Sequence, residues 1–236
     1  MGVRDVQIPF YEEIFAIPGV LADPVVLFGF QDILVAGIFS KPLSELDFKH
    51  KLVKLYFAMT GRLVRIPDEY LVSDLLEFLK ARGLREVDTI DLFDERAALR
   101  FDMNNPVPTS QHERYQTFID FGSLEHVFDT RQCLENCLRM VRPGGHYLLS
   151  TPVNGHFDHG LHTFSPEALL QALTLNGFEV VHTAYSTQSG KRLLRPDMGR
   201  DVVIWLLGRK LRSMGDFQVP QQGRWRNVYG NQVTRS

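Results

Sequence analysis

The stretch from Tyr115 to Val153, YQTFIDFGSLEHVFDTRQCLENCLRMVRPGGHYLLSTPV, decides the fold. It opens on an apolar, aromatic-rich run (YQTFIDF), passes a short turn, continues as a helix-like run (TRQCLENCLRMV), stops at RPGG and re-enters an apolar run (HYLLSTPV). Strand, helix and strand in that order predict a parallel pair with a crossover helix, part of a sheet buried on both faces. Downstream, HTFSPEALLQALTLNG carries Ser165 as N-cap, Pro166 at the first helical position and Gly177 just past the end, and is followed by the strand-like runs FEVVHTAYS and DVVIWLLGRK. Upstream, PVVLFGFQDILV reads as a buried strand broken by Gly29, and EVDTIDLFD and ALRFD as two more strands. Between them lie two helices. SELDFKHKLVKLYFAMTG has Ser44 and Asp47 at capping-box spacing and closes on Gly61. PDEYLVSDLLEFLKARG has Pro67 near its start, acids in its first turn, Lys80 and Arg82 in its last, and Gly83 as C-cap. Seven strands alternating with helices predict an α/β fold, a doubly wound, Rossmann-like, mostly parallel sheet.

Composition agrees with one soluble globular domain. The 236 residues are 44% hydrophobic and 23% charged, with 18 Gly, 12 Pro, 2 Cys and a net charge of −2, which argues against disorder, a disulfide scaffold and a dedicated nucleic-acid binder. The charge is polarised. Ser189–Ser236 holds ten Lys and Arg against three Asp and Glu, and the remainder holds 16 against 25. The bland reading of the basic segment is a solvated face plus a helix C-terminus; the sharper one is an anionic substrate or acidic partner. Cys133 and Cys137, one helical turn apart, read as reduced, buried thiols. The first residues lack an apolar leader, and Asp23, Gln31 and Asp32 interrupt the most apolar stretch, so neither a secretory signal nor a membrane span is expected and the protein reads as cytoplasmic. Residues 1–213 form one expected domain, with 1–22 and 34–66 as a lid over the substrate side; 214–236 is an extended tail.

In open α/β sheets ligands bind beyond the carboxyl ends of the strands, where strand order reverses. The polar residues expected there are Gln31 and Asp32, Asp91 and Asp94, Asp102 with Asn104 and Asn105, Asp120, and Asn154 with the histidines after it. Asp and Asn also favour such turns for local reasons. His156, His159 and His162 recur every third residue, but Gly155 and Gly160 mark a loop and no further ligand motif accompanies them, so no metal is expected.

Three segments, FIDFGSLEHVFD, LRMVRPGGHYLLSTP and HTFSPEALLQALTLNGFEVV, spanning Phe118 to Val181, resemble the class I S-adenosylmethionine (SAM)-dependent methyltransferases. The first half resembles a divergent branch: VVLFGFQDI keeps Gly29 of the glycine-rich first motif and has Gln31 and Ile33 where GxGxG has glycines. The resemblance implies SAM as cofactor and a small-molecule methyl acceptor, with no nucleic-acid or membrane partner; a homodimer stays open. It implies that Gly29 and Gln31 or Asp32 meet the cofactor's amino-acid end and that Asp91, or Asp94, takes the ribose hydroxyls. Asp102, beside Met103, would take the adenine amino group, and Asp120, beside Phe121, would lie near the ammonium. His159 is the first choice as general base or acceptor contact, with His156 and His126 as further candidates. A methyltransferase-like binding or partner protein is the alternative; a nicotinamide oxidoreductase is disfavoured because GxGxxG is absent.

Overall fold

The computed structural model describes residues 2–33, 48, 74–194 and 199–221. Its elements run β1 (Gly2–Val3), α1 (Ile8–Phe15), β2 (Val25–Phe28), β3 (Asp32–Ile33), α2 (Leu75–Ala81), β4 (Val87–Ile90), β5 (Tyr115–Phe121), α3 (Thr130–Met140), β6 (Val141–Asn154), α4 (Pro166–Leu175), β7 (Phe178–Ser186), β8 (Arg192–Leu193) and β9 (Val202–Lys210). Seven strands form one sheet in the order β4-β2-β5-β6-β9-β7-β8, and β1 pairs with β3 apart from it. The pairs β4/β2, β2/β5 and β5/β6 are parallel, whereas β9 runs antiparallel to both β6 and β7. The chain leaves β2 toward β4 on one side and returns to β5 on the other. The ends of β2 and β5 therefore flank the switch point, where a doubly wound sheet opens a crevice.

Alternation along the strands assigns the two faces. Val25 and Leu27 join α1 and α2 in one core, while Val26 and Phe28 join α3 and α4 in the other. Trp205 of β9 anchors the first core: Phe10 stacks on it at 4.9 Å, Tyr11 meets it edge-on at 5.0 Å, and its Nε1 donates to Ser186 Oγ at 2.9 Å. Cys133 and Cys137 are buried, unbridged thiols of the second core. Lys210 is equally enclosed. Its Nζ donates to the carbonyls of Leu138 (3.0 Å) and Val141 (2.6 Å), so part of the basic C-terminal excess serves the end of α3.

Several expectations change in detail. ALRFD adds only one parallel bridge, Leu99 to Ile90, because the chain turns at Asp102, whose carbonyl and carboxylate capture the amides of Asn105 and Asn104. The seventh strand is instead β8. The second upstream helix has a turn beginning at Leu75, capped by Asp74, whose side chain accepts from the Glu77 amide at 2.9 Å. Apart from residue 48, the helix over 44–61, Pro67 and the 34–66 part of the lid lie outside the described residues. Within 1–22, α1 belongs to the helical layer on the sheet. The start of the tail also docks: Phe217 is buried, Asn176 exchanges hydrogen bonds with the backbone of Gln218, and Gln171 accepts from the Gln221 amide. Among the described residues no helix is long and apolar enough to cross a membrane.

Candidate functional site

The crevice begins at Gly29, directly after β2. Its φ of +81° is a conformation side chains resist, and a Cβ there would lie 2.5 Å from Ser123 Oγ and 2.9 Å from Gln31 Nε2. Glycine is therefore required by both backbone and space. Ser123, at the turn after β5, donates from Oγ to the Phe28 carbonyl at 2.6 Å and ties the ends of β2 and β5 together. Gln31 is buried beside it, with Nε2 at 3.5 Å from the same hydroxyl, and its carbonyl accepts from the Leu75 amide.

Asp91 follows β4 and faces that turn. Its Oδ2 accepts from the Phe30 amide at 3.1 Å, and its Oδ1 from the amides of Phe93 (2.9 Å) and Asp94 (3.0 Å). Burial pushes this carboxyl up, but the three amides outweigh it and hold the pKa below the ordinary value. Asp94 and Asp32 are engaged by Arg96, whose guanidinium donates to Asp94 Oδ2 at 2.6 Å, approaches Asp32 Oδ1 at 3.4 Å and stacks on Phe30 at 3.8 Å. The Arg96 hydrogen bonds lower the Asp94 pKa to about 2. Asp102 accepts from the Asn104 amide and side chain and from the Asn105 side chain, which lower its pKa. Met103 is buried in the second core. Its carbonyl, with that of Asn105, accepts from Asn136 of α3, whose Oδ1 accepts from the Val107 amide.

Asp120 and Phe121 are enclosed. Asp120 Oδ1 accepts from the amides of Ser123 (2.8 Å) and Leu124 (3.4 Å), Oδ2 accepts from Tyr147 Oη at 3.2 Å, and burial raises the carboxyl to about 7 despite these bonds. Phe121 packs on Tyr11, 4.2 Å between ring centroids. The Asp120 shift makes stability depend on pH. The unfolded chain ionises an aspartate near pH 4, the folded chain near 7, so between them the folded state holds more protons. Stability from this group is full below about 4 and falls by up to about 1.4 kcal/mol per pH unit until about 7. Asp120→Asn, which keeps an oxygen for the two amides, is expected to flatten that fall in urea unfolding at pH 5 to 8. Parallel wild-type and variant curves would contradict the assignment.

Beyond Ser123 the chain makes one 3₁₀ turn, Leu124–His126, that carries Glu125 and His126. Glu125 is 1% exposed; its Oε2 accepts from Thr151 Oγ1 of β6 at 2.9 Å, and its Oε1 is buried without a partner. Burial, then the nearby Asp120, pushes its carboxyl up to about 8. The histidine loop is clamped onto this residue: the amides of Leu161 and His162 donate to the Glu125 carbonyl at 2.8 and 3.1 Å, and a Cβ on Gly160 would meet that oxygen at 2.9 Å. The clamp brings the rings of His126 and His159 to 5.5 Å and those of His159 and His156 to 5.7 Å. Burial, then His159, keeps the pKa of His126 and of His156 below the ordinary value. His162 turns away to the Phe128 carbonyl, and Asn154 to the Arg200 carbonyl.

Sequence reasoning missed Ser123, Glu125, Arg96 and Asn136. Glu125 stands inside the LEHV run, where an acid directly before a histidine, flanked by Leu124 and Val127, is the available signal. Arg96 and Asn136 act through long-range partners that spacing does not reveal.

A doubly wound sheet with a glycine turn at its switch point defines a Rossmann-like protein. No family model matches the chain. A 74-residue stretch is 36% identical to a protein of Mycolicibacterium smegmatis (strain ATCC 700084 / mc(2)155) described as "Probable S-adenosylmethionine-dependent methyltransferase"; the match takes in 28% of this chain, which spans only 29% of that relative's length. Among solved structures, the chain is similar to a SAM-dependent methyltransferase from Mesorhizobium loti (14% identity, 87% of this chain and 98% of that one, TM-score 0.49). It is also similar to the N-methyltransferase NodS from Bradyrhizobium japonicum WM9 in complex with S-adenosylhomocysteine (13%, 88% and 88%, 0.47). A third is the 1,6-didemethyltoxoflavin-N1-methyltransferase of Burkholderia thailandensis, with bound 1,6-didemethyltoxoflavin and S-adenosylhomocysteine (17%, 88% and 79%, 0.45). Each of these four proteins is described as a methyltransferase.

Proposed function

We propose that the protein transfers a methyl group from SAM to a small-molecule acceptor. The observation that carries this reading is the obligatory glycine at the switch point, with the Asp91 carboxylate beside it on the next strand end. The residues present fit the cofactor. A carboxylate offers about four acceptor positions; Asp91 commits three to backbone amides, which leaves one for a ribose hydroxyl. To Asp102, similarly pre-ordered by Asn104 and Asn105, we assign the adenine amino group. To Gln31 or Asp32 we assign the amino-acid end. Asp120, fully enclosed, is assigned to shaping the turn at residues 121–124 and not to cofactor contact.

When bound, SAM supplies a methyl group made electrophilic by its sulfonium. The chain's own task is to orient an acceptor toward it and to help the acceptor lose its proton. We place His159 in that second role: its ring is exposed, sits between those of His126 and His156, and belongs to a loop fixed on the carboxyl edge of β5 and β6. Phe128, Phe157 and Leu161, all exposed on the same segments, offer apolar surface for an organic acceptor.

Calorimetric titration with S-adenosylhomocysteine tests the cofactor half. One site per chain is expected, and Asp91→Ala should weaken it about 10- to 100-fold, the consequence of losing a charge-assisted hydrogen bond worth about 1.5–3 kcal/mol. No binding by the wild-type protein would overturn the reading.

A further inference from the structure

We propose that Glu125, His126 and His159 form a binding site for a divalent transition-metal ion, zinc or a close relative. One carboxylate oxygen and one ring nitrogen from each histidine lie within 4.8 Å of one another. Two imidazoles and a carboxylate are a ligand set that zinc accepts, with a further position left for water or substrate. In a tetrahedral site with bonds of about 2.1 Å the ligands stand about 3.4 Å apart, so these atoms need to close by about 1 Å or a little more. The architecture allows this. Glu125 is fixed, whereas His126 and His159 are exposed rings with room to rotate.

The independent observation is Glu125 itself. Its residue is 1% exposed, Oε2 is held by Thr151, Oε1 is buried with no hydrogen-bond donor, and the carboxylate these oxygens belong to stands within reach of a nitrogen of each histidine. A buried polar atom without a partner costs about 1–3 kcal/mol and calls for an explanation; a cation at this point supplies one. The neighbouring His156 Nε2 is a second buried atom without a partner on the same loop. The Glu125 carbonyl, which accepts from Leu161 and His162, fixes the spacing between the two halves of the site although they are more than thirty residues apart in sequence.

With the ion bound, His159 serves as its ligand instead of as the base; the site rests on the methyltransferase reading for its use, but not for its existence. An acceptor hydroxyl or amine bound to the ion would release its proton to solvent more readily, leaving its lone pair to form the new bond to the methyl carbon as the sulfur–methyl bond breaks.

Cobalt(II), a zinc surrogate with visible absorption, is the probe. Titrated into the full chain without cofactor or acceptor, it should give one equivalent of an absorption band that zinc abolishes. His126→Ala, His159→Ala and the isosteric Glu125→Gln should each weaken binding about 10-fold or more. His182→Ala, at a histidine 3.8 Å from Glu13, should leave the band unchanged. Glu125→Gln guards against an alanine variant that disturbs the loop. Absence of the band in wild type, its persistence in the three variants, or its equal loss in His182→Ala would overturn the site. Because the measurement contains no SAM, its failure is separate from failure of the methyltransferase reading.

Discussion

Replacing His159 by alanine is expected to leave the affinity for SAM unchanged and to slow methyl transfer by about 10²-fold or more, the range a positioned proton-handling group contributes. The reason lies in the partition of the site. The groups proposed for the cofactor sit at the ends of β2 and β4 and in the segment from Asp102, whereas His159 is held through Glu125 at the ends of β5 and β6. Its removal takes away an exposed ring and leaves the Leu161 and His162 amides on the Glu125 carbonyl, so the loop keeps its place. The measurement is turnover at saturating SAM alongside calorimetric affinity for S-adenosylhomocysteine. Unchanged turnover would remove His159 from the reaction. A parallel loss of affinity and turnover would mean that the ring supports the crevice rather than the acceptor. Chelation then separates two ways of acting: if the imidazole takes the proton, a chelator leaves wild-type turnover intact; if a bound ion acidifies the acceptor so that the proton goes to solvent, the chelator reproduces the variant.

The largest effect on stability is expected at Trp205. Trp205→Ala should lower the unfolding free energy by about 3–5 kcal/mol, as deletion of a large buried aromatic does. It would open a cavity beneath α1 where Phe10 and Tyr11 now meet the indole, and it would strip Ser186 Oγ of its donor in the core. Urea unfolding followed by circular dichroism measures it. A loss below about 1 kcal/mol would show that α1 docks without the indole. Trp205→Phe should recover part of the loss, since it restores ring packing but not the hydrogen bond.

Much of the architecture was legible because β2 (VVLF) and the first six residues of β9 (VVIWLL) are continuously apolar, and β5 and β6 carry buried apolar runs, as a sheet covered on both faces favours. The helices α3 and α4 were legible from their stops and starts: RPGG after one, Ser165 and Pro166 before the other. The reading failed where tertiary context decided. ALRFD has strand-forming composition, yet Asp102 ends it through Asn104 and Asn105, a competition between turn and ladder that composition does not resolve. Helix α1 escaped notice because Phe10 and Tyr11 acquire a reason to be helical only when β9, almost two hundred residues later, presents Trp205. At the site, the acids at strand ends were visible, but which oxygens remain open was not. Asp91 and Asp120 look alike in sequence, one followed by Leu and one by Phe, and burial makes the second a buried carboxyl with a pKa near 7 while three amides keep the first ionised.

The position of β9 has a consequence for synthesis. Among the described residues the last strand in chain order is inserted between β6 and β7, and there β7 reaches the rest of the sheet through it alone. While a ribosome is still extending the chain, β4, β2, β5 and β6 can assemble as their residues emerge, but β7 and β8 must wait as an unattached hairpin, with one edge of β6 bare, until residue 210 is clear. Nascent chains arrested at increasing lengths should therefore gain protease resistance in two stages, and the interval between them is when this protein most needs a chaperone.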